Sequence, residues 1–164
     1  AKYLEQSTVK RKLLMADLDR QYLEDIITRN GISQIRDHIV MPGYITNSDL
    51  PSIYNAAFAF LYTSLRESFG IPLLEAMACG LPCVGFRVGG IPEEIDHKRN
   101  GYVAEYRNAC DLANGIRWVL TSAKSDELSR DCVRKVTQNY SQQSVALRYI
   151  DVYEQAMALK HYRL

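Results

Sequence analysis

Two glutamates separated by seven residues frame the part of this sequence that could carry out chemistry. The segment from Tyr62 to Gly80 reads YTSLRESFGIPLLEAMACG, with Glu67 before a glycine and Glu75 within the apolar run that follows. Carboxylates accept hydrogen bonds from hydroxyl groups. Gly70 lets the backbone approach a ligand closely, and the unpaired amides at a helix start favour a phosphate oxygen. A nucleoside-diphosphate sugar, with phosphates in its middle and hydroxyl-rich groups at both ends, matches this layout.

Each of these residues also has an ordinary structural interpretation. Taken alone, Glu75 is better explained as an early-helix carboxylate that faces water and is favoured by the helix dipole. Glu67 could be a solvated loop charge, and Gly70 could serve only as a turn glycine. The residues by themselves therefore indicate an anion site and no more.

The surrounding elements are predicted to be short buried strands that alternate with helices. Apolar runs predict strands at residues 12–18, 38–41, 58–62, 83–86 and 101–104. Helical spacing predicts helices over residues 19–30, 50–57 and 71–78, and further helices from residue 108 onward, including a long terminal helix from residue 141. This alternation predicts an α/β fold with a doubly wound parallel sheet of the Rossmann-like kind. Ligands bind such sheets at the carboxyl ends of the strands.

The composition is that of an ordinary globular protein. The 164 residues are 47% apolar and 24% charged, which suits a single domain over residues 1–164. The net charge of +1 argues against a nucleic-acid binder, and no apolar run is long enough to span a membrane. The four cysteines lack metal-site spacing and are expected to be small apolar core residues of a reduced cytoplasmic protein: Cys79, Cys83, Cys110 and Cys132.

Several motifs occur together in a fixed order. The block ESFGIPLLEAMACGLP occupies residues 67–82, and VGGIPEEI and NGYV follow at residues 88–95 and 100–103. Upstream lie PGYI at residues 42–45 and DLPSIYNAA at residues 49–57. The whole series resembles glycosyltransferase family 4, whose members are retaining, nucleotide-sugar-dependent enzymes of the two-domain GT-B fold. The resemblance covers most of the chain and implies its carboxy-terminal, donor-binding half.

The resemblance implies a role for each residue of the central turn. Glu67 corresponds to the carboxylate that holds the donor sugar close to the reacting centre, and we take it as the catalytic residue. Glu75 corresponds to the carboxylate that accepts hydrogen bonds from the ribose hydroxyls. The backbone amides around Ser68, Phe69 and Gly70 would face the sugar.

The remaining donor contacts implied by the resemblance come from backbone groups. The amides of Leu73 and Leu74 would meet the diphosphate. Gly89 and Gly90 would line the cleft after the fourth strand. Three turn residues would contact the nucleobase: Gly43, Tyr44 and Ile45. Glu94 is interpreted as structural.

The family's usual mechanism transfers a sugar with retention at the anomeric carbon. The departing diphosphate helps to activate the acceptor, so that no strong nucleophile is needed. The resemblance therefore implies no cofactor and no bound metal, with the nucleotide sugar as co-substrate and a glycan or lipid-linked acceptor. The full-length enzyme would be cytoplasmic or peripheral to a membrane.

The amino terminus departs from the family pattern. Residues 1–12 contain no strand followed by the glycine-arginine turn and lysine that grip the diphosphate. The sequence is therefore expected to lack the first β-α unit, the phosphate-binding Arg and Lys and the acceptor domain, and to be inactive in isolation. A homodimer through the exposed edge is a further hypothesis.

Proteins of other functional classes share some of these sequence features. A non-catalytic nucleotide-binding or assembly module remains the alternative, because the acceptor domain is absent. A dinucleotide-dependent oxidoreductase is disfavoured, because no Gly-x-Gly-x-x-Gly follows an opening strand.

Overall fold

The computed structural model describes residues 11–160, without the side chain of Lys160. The sequence predicts that residues 1–12 lack the glycine-arginine turn. Most of these residues lie outside the described part of the chain. The chain divides into two compact units, of which the first ends at Ile53 and the second begins at Tyr54. The predicted single domain over residues 1–164 extends beyond the described residues and stays a prediction.

The first unit contains a pair of short parallel strands. Strand β1 (Leu13–Leu14) pairs with β2 (Ile39–Val40). Between them lie helix α1 (Arg20–Arg29) and a 3-10 helix (Ser33–His38). The Asp19 carboxylate caps α1 by accepting a 2.7 Å hydrogen bond from the Tyr22 N–H. Helix α2 (Leu50–Ala56) begins at the end of this unit.

The second unit is built on a three-stranded parallel sheet. Its strands are β3 (Phe60–Tyr62), β4 (Cys83–Phe86) and β5 (Gly101–Ala104), with β4 in the centre. Every residue of β4 and β5 is buried, as expected for parallel strands that are covered on both faces. The helices that follow in chain order are α3 (Ile71–Ala78), α4 (Ile91–Glu94), α5 (Ala109–Thr121), α6 (Ser125–Tyr140) and α7 (Gln142–Lys160).

One cluster of the core of the second unit lies between the sheet and α5. Val84, Tyr102 and Val119 belong to its central cluster of buried side chains. Gly115 lets α5 approach the sheet closely, because a Cβ there would lie 2.5 Å from a ring carbon of Tyr102. The carboxyl ends of β3, β4 and β5 are thereby held in a fixed frame.

The α/β class with parallel strands and helices is confirmed. The described strands form two sheets, of two and three strands, where the sequence predicted one doubly wound sheet. The strand predicted over residues 12–18 is confined to Leu13–Leu14, since Asp17 takes a positive φ of 49°. Helix α3 has the predicted bounds, with Pro72 in its first turn. No helix within residues 11–160 is long and apolar enough to cross a membrane.

Candidate functional site

The turn that follows β3 holds its own carboxylate in place. Glu67 Oε1 accepts hydrogen bonds from the N–H groups of Ser68, at 2.9 Å, and Phe69, at 3.3 Å. Glu67 Oε2 accepts a hydrogen bond from the Tyr62 hydroxyl. The bond from Tyr62 is the largest of the effects that hold the pKa of Glu67 below its ordinary value, followed by the bond from the Ser68 amide. Glu67 is therefore an ionised, positioned acceptor at neutral pH.

Tyr62 is a site residue that the sequence interpretation missed. Burial and the hydrogen bond to Glu67 raise the pKa of Tyr62 to about 12, so that it stays protonated and continues to donate. The available signal was its position, since Tyr62 ends the strand five residues before Glu67. At a strand end a tyrosine can keep its ring in the sheet and extend its hydroxyl into the following loop.

Gly70 joins this turn to α3. Its φ of 92° is left-handed, a conformation that favours glycine, and it caps the helix. The Gly70 carbonyl accepts hydrogen bonds from the amides of Leu73, at 2.9 Å, and Leu74, at 3.3 Å. A diphosphate at this helix end would have to share these two amides with the Gly70 carbonyl. Pro72 has no N–H to offer.

Glu75 lies further along α3 and is exposed. Its carboxylate makes no hydrogen bond to another residue of the described part of the chain, so its oxygens are open to hydroxyl donors. Burial and, second, the charge of Glu75 raise the pKa of Tyr54. Glu75 therefore stands beside an aromatic residue that remains a neutral hydroxyl at physiological pH.

The loop after β4 packs against the Glu67 turn through its backbone. The Gly90 N–H donates a 3.1 Å hydrogen bond to the Ser68 carbonyl. A Cβ at Gly89, whose φ is 51°, would lie 1.8 Å from the Glu67 carbonyl oxygen. A Cβ at Gly90 would lie 2.9 Å from the Ser68 oxygen. Only glycines allow these two loops to meet, and the predicted role of Gly89 and Gly90 in lining the donor cleft stays a prediction.

A third loop joins the same edge of the sheet. Tyr106, which follows β5, donates a 3.1 Å hydrogen bond from its hydroxyl to the Leu65 carbonyl. The loops after three parallel strands thus meet where ligands bind in open α/β sheets. The structure brings together one group of predicted site residues: Glu67, Ser68, Phe69, Gly70, Gly89 and Gly90.

Glu94 is a second residue whose setting the sequence interpretation missed. It ends α4 with only 1% of its surface exposed, and neither carboxyl oxygen has a hydrogen-bond partner within residues 11–160. Burial, and then the charges of Glu67 and Glu93, raise its pKa to about 7. The signal was its helical spacing from the buried Ile91 and its position beside the buried Ile95.

The turn predicted to contact a nucleobase belongs to the first unit. Gly43 has a φ of 81°, and its carbonyl accepts a 3.1 Å hydrogen bond from the Asp17 N–H. Tyr44 is 76% exposed, and Ile45 is half-buried. An exposed aromatic ring can stack on a base, and that role stays a prediction.

Metal-ligating side chains are dispersed through the described residues. Between residues 11 and 160, no three His, Cys, Asp or Glu side chains come together in a way that could hold a metal ion. All four cysteines are free, and the prediction that they lie in the core is confirmed for Cys83 and Cys132 but wrong for Cys110, which is exposed, and Cys79, which is half-buried. Burial raises the pKa of Cys132 to about 12, which keeps that thiol protonated.

Comparison with known proteins places these motifs in a family. Residues 1–138 match the profile of the glycosyl transferases group 1. An uncharacterized glycosyltransferase of Methanocaldococcus jannaschii is 32% identical over 96% of this chain and 40% of its own length. D-inositol 3-phosphate glycosyltransferase of Saccharomonospora viridis is 30% identical over 83% of this chain and 31% of its own. The chain thus spans less than half the length of these relatives.

Solved structures of GT-B enzymes share the fold. Sucrose-phosphate synthase from Thermosynechococcus elongatus has a TM-score of 0.71 and 25% identity, covering 90% of this chain and 39% of that one. Anabaena HepE, solved in complex with UDP and glucose, has a TM-score of 0.75 and 21% identity, covering 94% of this chain and 43% of its own. The predicted GT-B fold, with this chain matching one part of it, is confirmed.

Proposed function

The chain belongs to the group 1 family of glycosyl transferases, and on that premise we propose that it forms the donor-binding half of a retaining enzyme. The proposed donor is a nucleoside-diphosphate sugar. One observation carries the proposal: Glu67 is held ionised by Tyr62 and by its own turn amides, beside a helix start and two close glycines. This arrangement combines acceptors for sugar hydroxyls with a helix amino terminus that favours an anion.

The donor would lie along the turn and α3. Glu67 would accept hydrogen bonds from hydroxyls of the transferred sugar, and Glu75 from the ribose hydroxyls. The diphosphate would lie between them at the helix amino terminus, where the dipole favours negative charge. The HepE structure, with UDP and glucose bound to a protein of the same fold, supports this choice of ligand class.

The proposed reaction breaks the bond between the anomeric carbon and the diphosphate oxygen. The acceptor oxygen attacks from the same face and its proton passes to the departing phosphate, so that configuration is retained. Glu67 would stabilise the oxocarbenium-like centre, and the helix end would stabilise the departing anion by preorganised electrostatics. The proposal assigns no step to a metal ion, and a chelator should leave nucleotide binding unchanged.

We propose a glycan or a lipid-linked molecule as the acceptor. Relatives of this chain include the O-antigen chain mannosyltransferase B of Escherichia coli, which is 49% identical over 32% of this chain. That relative supports a glycan or lipid-linked acceptor. The chain covers only part of its relatives, so acceptor contacts are proposed to come from residues beyond those matched here.

The test is a calorimetric titration of the chain with UDP, GDP and their sugar conjugates. We expect one base to bind and the Glu75→Gln variant to lose about 1–3 kcal/mol of binding free energy, the value of a hydrogen bond to a charged group. The Glu127→Gln variant is the matched control, since Glu127 is an exposed carboxylate on α6 that pairs with Lys124. Equal affinity of the Glu75→Gln and wild-type chains would refute the assignment.

A further inference from the structure

A buried carboxyl group without a partner lies beneath the proposed donor site. Glu94 ends α4 between Ile91 and Ile95, which are 0% and 1% exposed. Asn100, the other buried polar side chain of the described core, accepts a 2.9 Å hydrogen bond from the Asp96 N–H. Neither oxygen of Glu94 has such a bond within the described chain. Burying an ionised carboxylate without a partner is costly, so this setting favours the neutral, protonated form of Glu94.

The carboxyl group is directed at the start of α3. A Cβ built on Gly70 would lie 3.0 Å from Glu94 Oε2 and 3.6 Å from Oε1, so the two groups are in contact. Gly70 caps α3, and the loop before α4 is fixed to the same turn by the Gly90 to Ser68 hydrogen bond. The charge on Glu94 therefore acts directly on the helix end that would hold the diphosphate.

Within residues 11–160, no cationic side chain pairs with Glu94. Glu67 from the turn after β3 and Glu93 from α4 are both acidic, and each raises the pKa of Glu94. Tyr62 on β3, Cys83 on β4 and Tyr140 at the end of α6 also sense the charge of Glu94. These three groups have raised pKa values of their own and are neutral near pH 7. Burial, the largest effect, places the pKa of Glu94 at about 7.

We propose that Glu94 is a positioning residue that takes up one proton from solvent when a diphosphate occupies the start of α3. The inference rests on the proposed function, since it takes a nucleoside diphosphate as the ligand. An ionised Glu94 would repel the phosphate charges through a low-dielectric layer, whereas a neutral Glu94 does not. Because linkage is reciprocal, a ligand that favours protonated Glu94 binds more weakly wherever the free carboxyl is ionised.

The test is calorimetry of the full chain with UDP and GDP between pH 6 and pH 9, in buffers of different ionisation enthalpy. Above about pH 7 we expect the wild-type affinity to fall by up to about tenfold per pH unit, with uptake of up to one proton. Glu94→Gln should remove this loss and hold the affinity at pH 8.5 near its value at pH 6.5. The nucleotide's own phosphate titration is common to both proteins and cancels in the comparison.

Glu127→Gln is the matched control, because it removes an exposed carboxylate on α6 that pairs with Lys124 and is not among the charges that raise the pKa of Glu94, so it should leave the pH dependence in place. Proton uptake by the wild-type chain tests the proposal even if Glu94→Gln fails to fold. The same pH profile in wild-type and Glu94→Gln chains, without proton uptake, would overturn the role of Glu94 and leave the donor site standing. Failure of every diphosphate to bind at any pH would overturn the proposed function and this inference together.

Discussion

Replacing Gly89 with alanine should separate the two loops that form the proposed site. The new Cβ would lie 1.8 Å from the Glu67 carbonyl oxygen and 2.6 Å from its carbon. Both atoms are backbone, so the clash cannot be relieved by a side-chain rotation. The left-handed φ of 51° adds strain of roughly 1–2 kcal/mol, and overpacking adds roughly 1–3 kcal/mol. We expect the free energy of unfolding to fall by about 2–5 kcal/mol.

Gly31→Ala is the control, because it introduces the backbone strain of a left-handed residue without a steric clash. Gly31 has a similar φ of 61°, but a Cβ there would meet no atom within 4 Å. This control should therefore lose only the strain, about 1–2 kcal/mol. Urea denaturation of both variants measures the difference, and a UDP and GDP titration shows whether the site survives. The reasoning is refuted if Gly89→Ala unfolds no more easily than Gly31→Ala and still binds nucleotide like the wild type.

Three further changes test the rest of the structure. Glu94→Gln should stabilise the chain by at most about 3 kcal/mol above pH 7 and should have no effect below pH 4.5. Because folding raises the pKa of Glu94 from 4.5 to about 7, the wild type loses stability as the pH rises through that window. Urea denaturation at pH 4 and pH 8 checks the sign. Tyr62→Phe should raise the pKa of Glu67 toward its ordinary value, and an unchanged carboxyl NMR titration would contradict the bond. Gly115→Ala should destabilise the chain by about 1–3 kcal/mol despite the better helix propensity of alanine, because its Cβ would lie 2.5 Å from Tyr102; an unaltered melting temperature would count against this packing.

Local signals predicted most of the elements that position the site. Pro72 and Gly80 mark the two ends of α3 by their own conformational preferences, and the structure begins and ends that helix beside them. β4 and β5 were predicted from continuous apolar runs rather than from alternating apolar and polar residues. This pattern suits them because both strands are buried throughout. The opening strand was predicted too long, because the positive φ of Asp17 is set by a hydrogen bond to the distant Gly43 carbonyl.

The site was harder to predict, because its decisive contacts join residues from different loops. The motif identified Glu67, but the hydroxyl of Tyr62 reaches it only once β3 has formed. The amides of Ser68 and Phe69 were expected to face a sugar, yet in the structure they donate to Glu67 itself. A donor hydroxyl must therefore use the remaining lone pairs of a carboxylate that is already oriented.

The hydrogen bonds that Glu67 already accepts within the chain limit which ligand hydroxyls it can bind. A carboxylate with two fixed amide donors and one hydroxyl donor offers few remaining directions, so a hydroxyl on the sugar must approach along one of them. The hydrogen bonds from Tyr62 and the Ser68 amide keep the pKa of Glu67 low, so its carboxylate stays ionised and can only accept hydrogen bonds. A ligand that needs a hydrogen-bond donor at this position would therefore be excluded. Glu94, with a pKa raised to about 7 and no hydrogen-bond partner among the described residues, is a nearby carboxyl whose charge can change at neutral pH. If the chain binds a nucleotide sugar as proposed, the carboxylate that stays charged, Glu67, would recognise the sugar, and Glu94, whose charge can change, would respond to the phosphates.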